Sequence, residues 1–154
     1  MRVAVEDPAL NPDVRLLLEE HLADMFATSP ADSVHALDLE ALRVGSITFW
    51  TAREDGALLG CGALKDHVDG TGEVKSMRTA TAARGRGVAA AVLVAIIAEA
   101  RSRGYARLNL ETGTQDYFAS AHRLYARHGF VDCGPFAGYV LDANSRFFTL
   151  ATDR

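Results

Sequence analysis

A chain of 154 residues with a net charge of −4 has enough length for one domain with a real core, and it gives no electrostatic footing for duplex nucleic acid. Almost half of it is apolar and 23% is charged, the balance of an ordinary soluble globular protein, and the one local basic group, Arg78, Arg84 and Arg86, suits a small anion. No apolar run reaches membrane-spanning length, the start of the chain lacks the apolar segment of a secretory leader, and Cys61 and Cys133 lack metal or redox spacing; the expectation is a cytoplasmic protein with two free thiols, no membrane partner and no metal.

The elements follow in order. Arg2 to Val5 reads as a first strand. Asn11-Pro12 starts a helix in which Val14, Leu18, Leu22 and Met25 repeat at helical spacing, until Ser29-Pro30 stops it. Ala36 to Val44 predicts a second, shorter helix closed by Gly45. Ile47 to Ala52 is β-branched and aromatic, Asp55-Gly56 signals a hairpin, and Leu58 to Leu64 is the returning strand. After Asp69-Gly70 comes the strand Glu73 to Ala80. Simple alternation puts Glu73, Lys75, Met77 and Thr79 on one face of it, and Val74, Ser76 and Arg78 on the other.

The pattern then changes. Val88, Val92, Ile96 and Ala100 lie four apart in a helix with a small-residue face, ended by Gly104. Tyr105 to Thr112 reads as a strand, Asp116 to His128 as a helix, Phe130 to Cys133 as a strand start and Arg146 to Ala151 as the last strand. A meander followed by β-α-β-α-β predicts a mixed α/β sheet with helices on both faces, one domain over residues 1–154.

The turn Arg84-Gly85-Arg86-Gly87-Val88-Ala89, between a strand and a helix, carries the chemistry. A glycine-bearing turn at a helix start leaves several backbone N–H groups unpaired at the positive end of the helix dipole. The dinucleotide fingerprint is absent, because Ala90 stands at its third glycine, and no Gly-Lys-Ser/Thr follows to make a P-loop. From the loop alone, a bare turn and a phosphate seat both stay open.

Two motifs narrow it. Arg84-x-x-Gly87-x-Ala89 matches the Gln/Arg-x-x-Gly-x-Gly/Ala signature of the GNAT N-acetyltransferases, and Ala121-His122-Arg123-Leu124-Tyr125-Ala126-Arg127-His128-Gly129-Phe130 resembles the superfamily's A-x-x-L-Y-x-x-x-G-F block. The element order resembles that superfamily too. Ser29 to Leu37 and Gly134 to Tyr139, running on to Phe148, resemble a subgroup of small, uncharacterised bacterial members.

The resemblance implies a sheet of about seven strands with four helices, and a splay between the fourth and fifth strands. It implies acetyl-CoA as co-substrate, with the pyrophosphate on the N–H groups of Arg86, Gly87, Val88 and Ala89. Gly85 and Gly87 would let the backbone come close, and Arg84 and Arg86 would add charge. Met77 and Thr79, flanking Arg78, would hold the pantetheine arm. Phe118 stands where many members carry an Asn, so that contact would be apolar, or supplied by a neighbour such as Thr112 or Ser120. Tyr125 matches the tyrosine that protonates the CoA sulfur, and a phenol with a pKa of about 10 is protonated at neutral pH. Glu73, eleven residues before Arg84, matches the base of histone-type members, with Glu111 and His67 as further candidates and a water chain as the alternative.

For the acceptor, the expected lining is Met25, Ser33, His35, Phe136 and Tyr139, with Lys75 and Arg78 receiving a carboxylate. That favours a small, amino-acid-like primary amine. A protein N-terminus or lysine as acceptor, and a non-catalytic acyl-CoA sensor, remain alternatives. A homodimer is compatible with the resemblance, since many relatives pair through edge strands or C-termini.

Overall fold

The computed structural model describes residues 1–153. Seven strands form one mixed sheet: β1 (Arg2–Val5), β2 (Ile47–Glu54), β3 (Ala57–Asp66), β4 (Thr71–Thr79), β5 (Arg107–Gly113), β6 (Val131–Cys133) and β7 (Ser145–Ala151), in the order β1-β2-β3-β4-β5-β7-β6. The first four run antiparallel, as the turn signals predict; Asp55 and Gly56 both take positive φ, the form a two-residue hairpin needs. The last strand inserts between β5 and β6, pairing antiparallel with both.

Helix α1 (Pro12–Thr28) lies on one face, burying Val14, Leu17 and Leu18 against Phe49, Cys61 and Ala63. Helices α2 (Val88–Ser102) and α3 (Ala119–Arg127) cover the other face, where Val92, Leu93 and Ile96 are fully buried with Leu124 and Phe148. Each such side chain contributes roughly 1.5–3 kcal/mol of burial. The close fit of α2 depends on glycines in β3: a Cβ on Gly62 would meet Met77 Sδ at 2.6 Å and Val92 Cγ1 at 2.7 Å.

Two expectations are corrected. The helix predicted over Ala36–Val44 is a single turn, Ala41–Arg43, so three α-helices stand where four were expected. Leu37, in irregular chain, and Leu39, in the turn that follows, pack against the α1-side core, and Asp38 Oδ1 takes the N–H of Ala41, which stops a helix from propagating upstream. The second correction concerns β4. Ser76 has φ 56°, and the β3–β4 register slips between Cys61 and Ala63, a β-bulge. One extra residue reverses the alternation beyond it. Glu73, Lys75 and Arg78 therefore share the α1 side, pairing with Lys65, Ala63 and Cys61, while Val74, Met77 and Thr79 belong to the α2 side.

The expected splay is present. β4 and β5 pair in parallel only from Thr71–Glu73 to Arg107–Asn109; past those residues both strands continue unpaired with each other.

Candidate active site

The splay opens a cleft of about 700 Å³ that runs from the start of α2, between the two strands, to α1. Arg84, Gly85, Gly87, Val88 and Ala89 line one end. Met77, Thr79, Thr112, Ser120 and Tyr125 line the middle, and Met25, Ser33, His35 and Lys75 the other end, with Glu73 and Glu111 between.

The first end is built from backbone. Gly85 and Gly87 have φ of 78° and 79°, a conformation that favours glycine. Gly87 caps α2 without a side-chain bond, and the helix ladder begins only at Ala91, whose N–H donates to the Gly87 carbonyl at 3.1 Å. The N–H groups of Val88, Ala89 and Ala90 stay free of the ladder, aimed outward with the helix dipole behind them. Arg84 faces this end. Arg86 does not: it is half exposed and bonds Glu54 of the β2–β3 hairpin, so its charge acts at a distance at most.

Tyr125 sits where the two ends meet. It is 6% exposed, packed against Phe130 and Phe148 at ring distances of 5.7 and 6.1 Å. Burial, with the nearby charge of Glu111, pushes its phenol well above the usual tyrosine range. Such a hydroxyl is a proton donor, never a phenolate, at neutral pH. At the helix start, Phe118 is 8% exposed, lines the cleft and packs over Gly113.

Glu73 is buried in a bonded set. Its Oε1 accepts from His67 Nε2 at 2.9 Å, and its Oε2 accepts from Tyr139 Oη at 2.7 Å and from Lys75 Nζ at 3.3 Å. Lys75 Nζ donates in turn to Tyr139 Oη at 2.9 Å. Burial and the neighbouring Glu73 push the Tyr139 phenol up. Tyr139 and Phe136 do not line the cleft. Tyr139 stands behind the wall, edge-on to His35 at 4.9 Å, and Phe136 packs on Tyr139 and Phe147. Both shape the α1 end of the cleft through the residues they pack against.

Glu111 is different. Only its Oε2 is held, by the Ser145 hydroxyl at 2.7 Å, and burial raises its carboxyl above the usual range, opposed by Ser145, His35 and Lys75. Asn109, two residues earlier, turns away from the gap and accepts a 2.6 Å bond from Thr149.

Arg78 changes role because of the bulge. Its side chain lies away from the α2 end of the cleft and meets α1: Nη2 reaches Glu20 at 2.5 Å and Asp24 at 2.6 Å, and Nη1 donates to Tyr117 at 3.0 Å. Lys75 and Arg78, expected to receive a carboxylate, are thus both paired within the chain. Ser33 bonds Asp142 at 2.6 Å, tying the loop after α1 to the loop before β7. His21, Ser76 and Tyr117 line the cleft and were not expected. His21 had a signal: it lies three and four residues after Leu18 and Leu17, a polar residue on the buried stripe of α1. Ser76 had none, since nothing local marks the bulge. Among the described residues, no group of three or more His, Cys, Asp and Glu is placed to hold a metal, and no helix is long and apolar enough to cross a membrane. Cys61 is fully buried, its thiol pushed up to about 12 by burial.

Comparison with known proteins agrees with this arrangement. The model of the acetyltransferase (GNAT) family matches residues 14–130. The chain is 48% identical over 144 residues to the uncharacterized N-acetyltransferase YedL of Escherichia coli, covering 94% of this chain and 91% of that protein. It is 40% identical over 148 residues to an IAA acetyltransferase of Azospirillum brasilense, covering 94% of each. Its fold is similar to that of yncA from Salmonella typhimurium, solved with its cofactor acetyl-CoA, with a TM-score of 0.72 and 20% identity over 99% of this chain and 94% of the other. With a family model that spans most of the chain and relatives matched nearly end to end, the chain belongs to the GNAT acetyltransferase family.

Proposed function

We propose that this chain is a single-domain N-acetyltransferase that moves the acetyl group of acetyl-CoA to the primary amine of a small molecule, by direct transfer in a ternary complex. One observation carries the reading: a single cleft joins a backbone anion seat at the start of α2 to a polar chamber under α1, with the buried Tyr125 hydroxyl between them. The free N–H groups of Val88 to Ala90 and the glycines at 85 and 87 suit the CoA pyrophosphate. The unpaired edges of β4 and β5 beside Met77 and Thr79 suit the amides of a pantetheine arm.

In the reaction the amine nitrogen attacks the thioester carbonyl, the N–C bond forms and the C–S bond breaks. Holding both reactants in one cleft supplies much of the rate. Tyr125 gives its proton to the departing thiolate, and the proton lost by the amine returns the tyrosine to its neutral state through the site, so the products are an amide and free CoA thiol. Glu111 is the group we assign to take the amine proton. It has a free carboxylate oxygen, it acts on Tyr125 electrostatically, and its raised pKa strengthens it as a base. Glu73 keeps a positioning part, since three partners already hold its oxygens.

The test is CoA release across a panel of small amines, peptides and IAA, the last because a relative carries its name. Turnover of small amines but not peptides supports the reading; turnover of peptides alone overturns it. Glu111→Gln is expected to lower kcat by roughly 10²-fold and to remove the acidic limb of the pH–rate profile. The sign follows from the raised pKa: the wild-type carboxyl must lose its proton to act, so activity climbs as pH rises through that value. The same shift makes the carboxyl's contribution to stability complete below its ordinary 4.5 and lost as pH rises through the raised value, so Glu111→Gln should fold no less stably at neutral pH. An unmoved acidic limb would reject Glu111 as the base.

A further inference from the structure

The α1 end of the cleft holds a buried ion pair, Glu73 and Lys75, with side chains 2% and 9% exposed. Lys75 Nζ reaches Glu73 Oε2 at 3.3 Å, and the Tyr139 hydroxyl bridges them, donating to Glu73 at 2.7 Å and accepting from Lys75 at 2.9 Å. The Tyr139 ring is wedged among His35, Phe136 and Phe147, which fixes the bridge in place. An ion pair this little exposed loses to desolvation most of what its attraction returns, so stability alone is a weak reason for it.

The strand register sets this pair against Glu111. Glu73 is opposite Asn109 in the last parallel rung before β4 and β5 part. Two residues further on, Lys75 and Glu111 are the next side chains on that same side of each strand, so they face one another across the opening gap. Phe147, the β7 partner of Glu111, packs on Tyr139 from that side too. The groups around the Glu111 carboxyl are thus Glu73 and Lys75 from β4, Ser145 from β7, His35 from the loop after α1 and Tyr125 from α3. Burial raises its carboxyl; the Ser145 hydroxyl, His35 and Lys75 hold it down, and Glu73 adds to the rise. Away from bulk water each such charge counts for more than it would in solution.

We propose that Glu73 and Lys75 are positioning residues that set the strength of Glu111 as a base through their opposed charges, with Tyr139 holding the two together. The inference rests on the reading that Glu111 takes the amine proton. Lys75 favours the carboxylate form of Glu111 and Glu73 disfavours it. Held as a pair they nearly cancel, and Glu111 keeps the strength that burial gives it. A lone Lys75 would make Glu111 a weaker base, and a lone Glu73 would keep it protonated over more of the pH range.

The experiment follows two readouts: the acidic limb of the kcat/KM–pH profile with the fastest amine of the panel, and the NMR titration of the Glu111 carboxyl carbon in the protein without substrate. Both report the free enzyme. Glu73→Gln leaves the ammonium of Lys75 unopposed and is expected to move both to lower pH, by about one pH unit. Lys75→Gln leaves the carboxylate of Glu73 unopposed and is expected to move both to higher pH by a similar amount. The double variant Glu73→Gln/Lys75→Gln restores the balance and should return both to within about half a pH unit of the wild type. Lys75→Gln keeps two donors on Glu73, His67 and Tyr139, so it decides the matter by itself if Glu73→Gln does not fold. A merely structural pair would lower kcat without displacing either readout, or displace them the same way in both single variants; either result overturns the proposal. If Glu111→Gln keeps the wild-type limb, the base assignment falls, and the carboxyl titration still decides whether the pair acts on Glu111.

Discussion

The two ends of the cleft are made in different ways. The α2 end is backbone: two glycines in the left-handed region, three free N–H groups and a helix dipole, contiguous in sequence from Gly85 to Ala90. The α1 end is side chains brought from four places: His21 from the helix, Ser33 and His35 from the loop after it, Arg78 from β4 and Glu111 from β5. A site of backbone groups accepts many neighbours and serves any reaction that needs the same phosphate. A site of side chains is specific, because each group can be exchanged without disturbing the ladder of hydrogen bonds beneath it.

That contrast can be broken experimentally. The largest effect belongs where the ends meet. Tyr125→Phe should lower kcat by 10²-fold or more for every amine, with acetyl-CoA affinity unchanged by calorimetry; turnover at the wild-type rate would remove Tyr125 from the chemistry. Next is the acid stability of the α1 end. Burial, aided by the charge of Arg78, lowers His21 from 6.5 to about 4. A depressed pKa gives stability that is complete above 6.5 and is lost as pH falls toward about 4, in all roughly 3 kcal/mol. Urea titrations at successive pH values should show a shallower acid decline for His21→Gln than for the wild type, and parallel declines would show that His21 is not held neutral.

Smaller effects belong to the α2 end. Gly87→Ala forces a Cβ into φ of 79° and should cost about 1–2 kcal/mol of stability, with a higher KM for acetyl-CoA that is the same whichever amine is offered. An effect that depended on the amine would blur the division between the two ends. The smallest is Arg86→Ala. Its pair with Glu54 is exposed and screened by solvent, so stability should not change measurably and the KM for acetyl-CoA should change by less than about twofold. A large rise in KM would put Arg86 on the phosphate after all.

The legibility of the sequence follows the same division. Alternation and turn chemistry mark β2, β3 and β4, because a hairpin is a local object whose turn residues state their own conformation. The helix α2 and its glycine turn are legible for the same reason. Ala36 to Val44 misleads because Leu37, Leu39, Leu42 and Val44 are spaced as a helix would need, while the core under α1 takes Leu37, Leu39 and Leu42 from irregular chain, a turn and a single helical turn. Glu73 is legible as a buried carboxylate near the chemistry only through a motif offset; that Tyr139 and Lys75 already bond it depends on a loop 66 residues further on.

By itself the sequence determined the fold family, the glycine turn at the start of α2 and the helix that carries Tyr125, since each is written in neighbouring residues and needs only local geometry. Tertiary structure decided which way the polar residues of β4 face and what they meet. A bulge at Ser76 reverses the strand's alternation, Arg78 meets Glu20 across 58 residues of chain, and Ser33 meets Asp142 across 109. Those pairings are selected by packing between distant elements, which no local pattern encodes, and they are what shape the α1 end of the cleft.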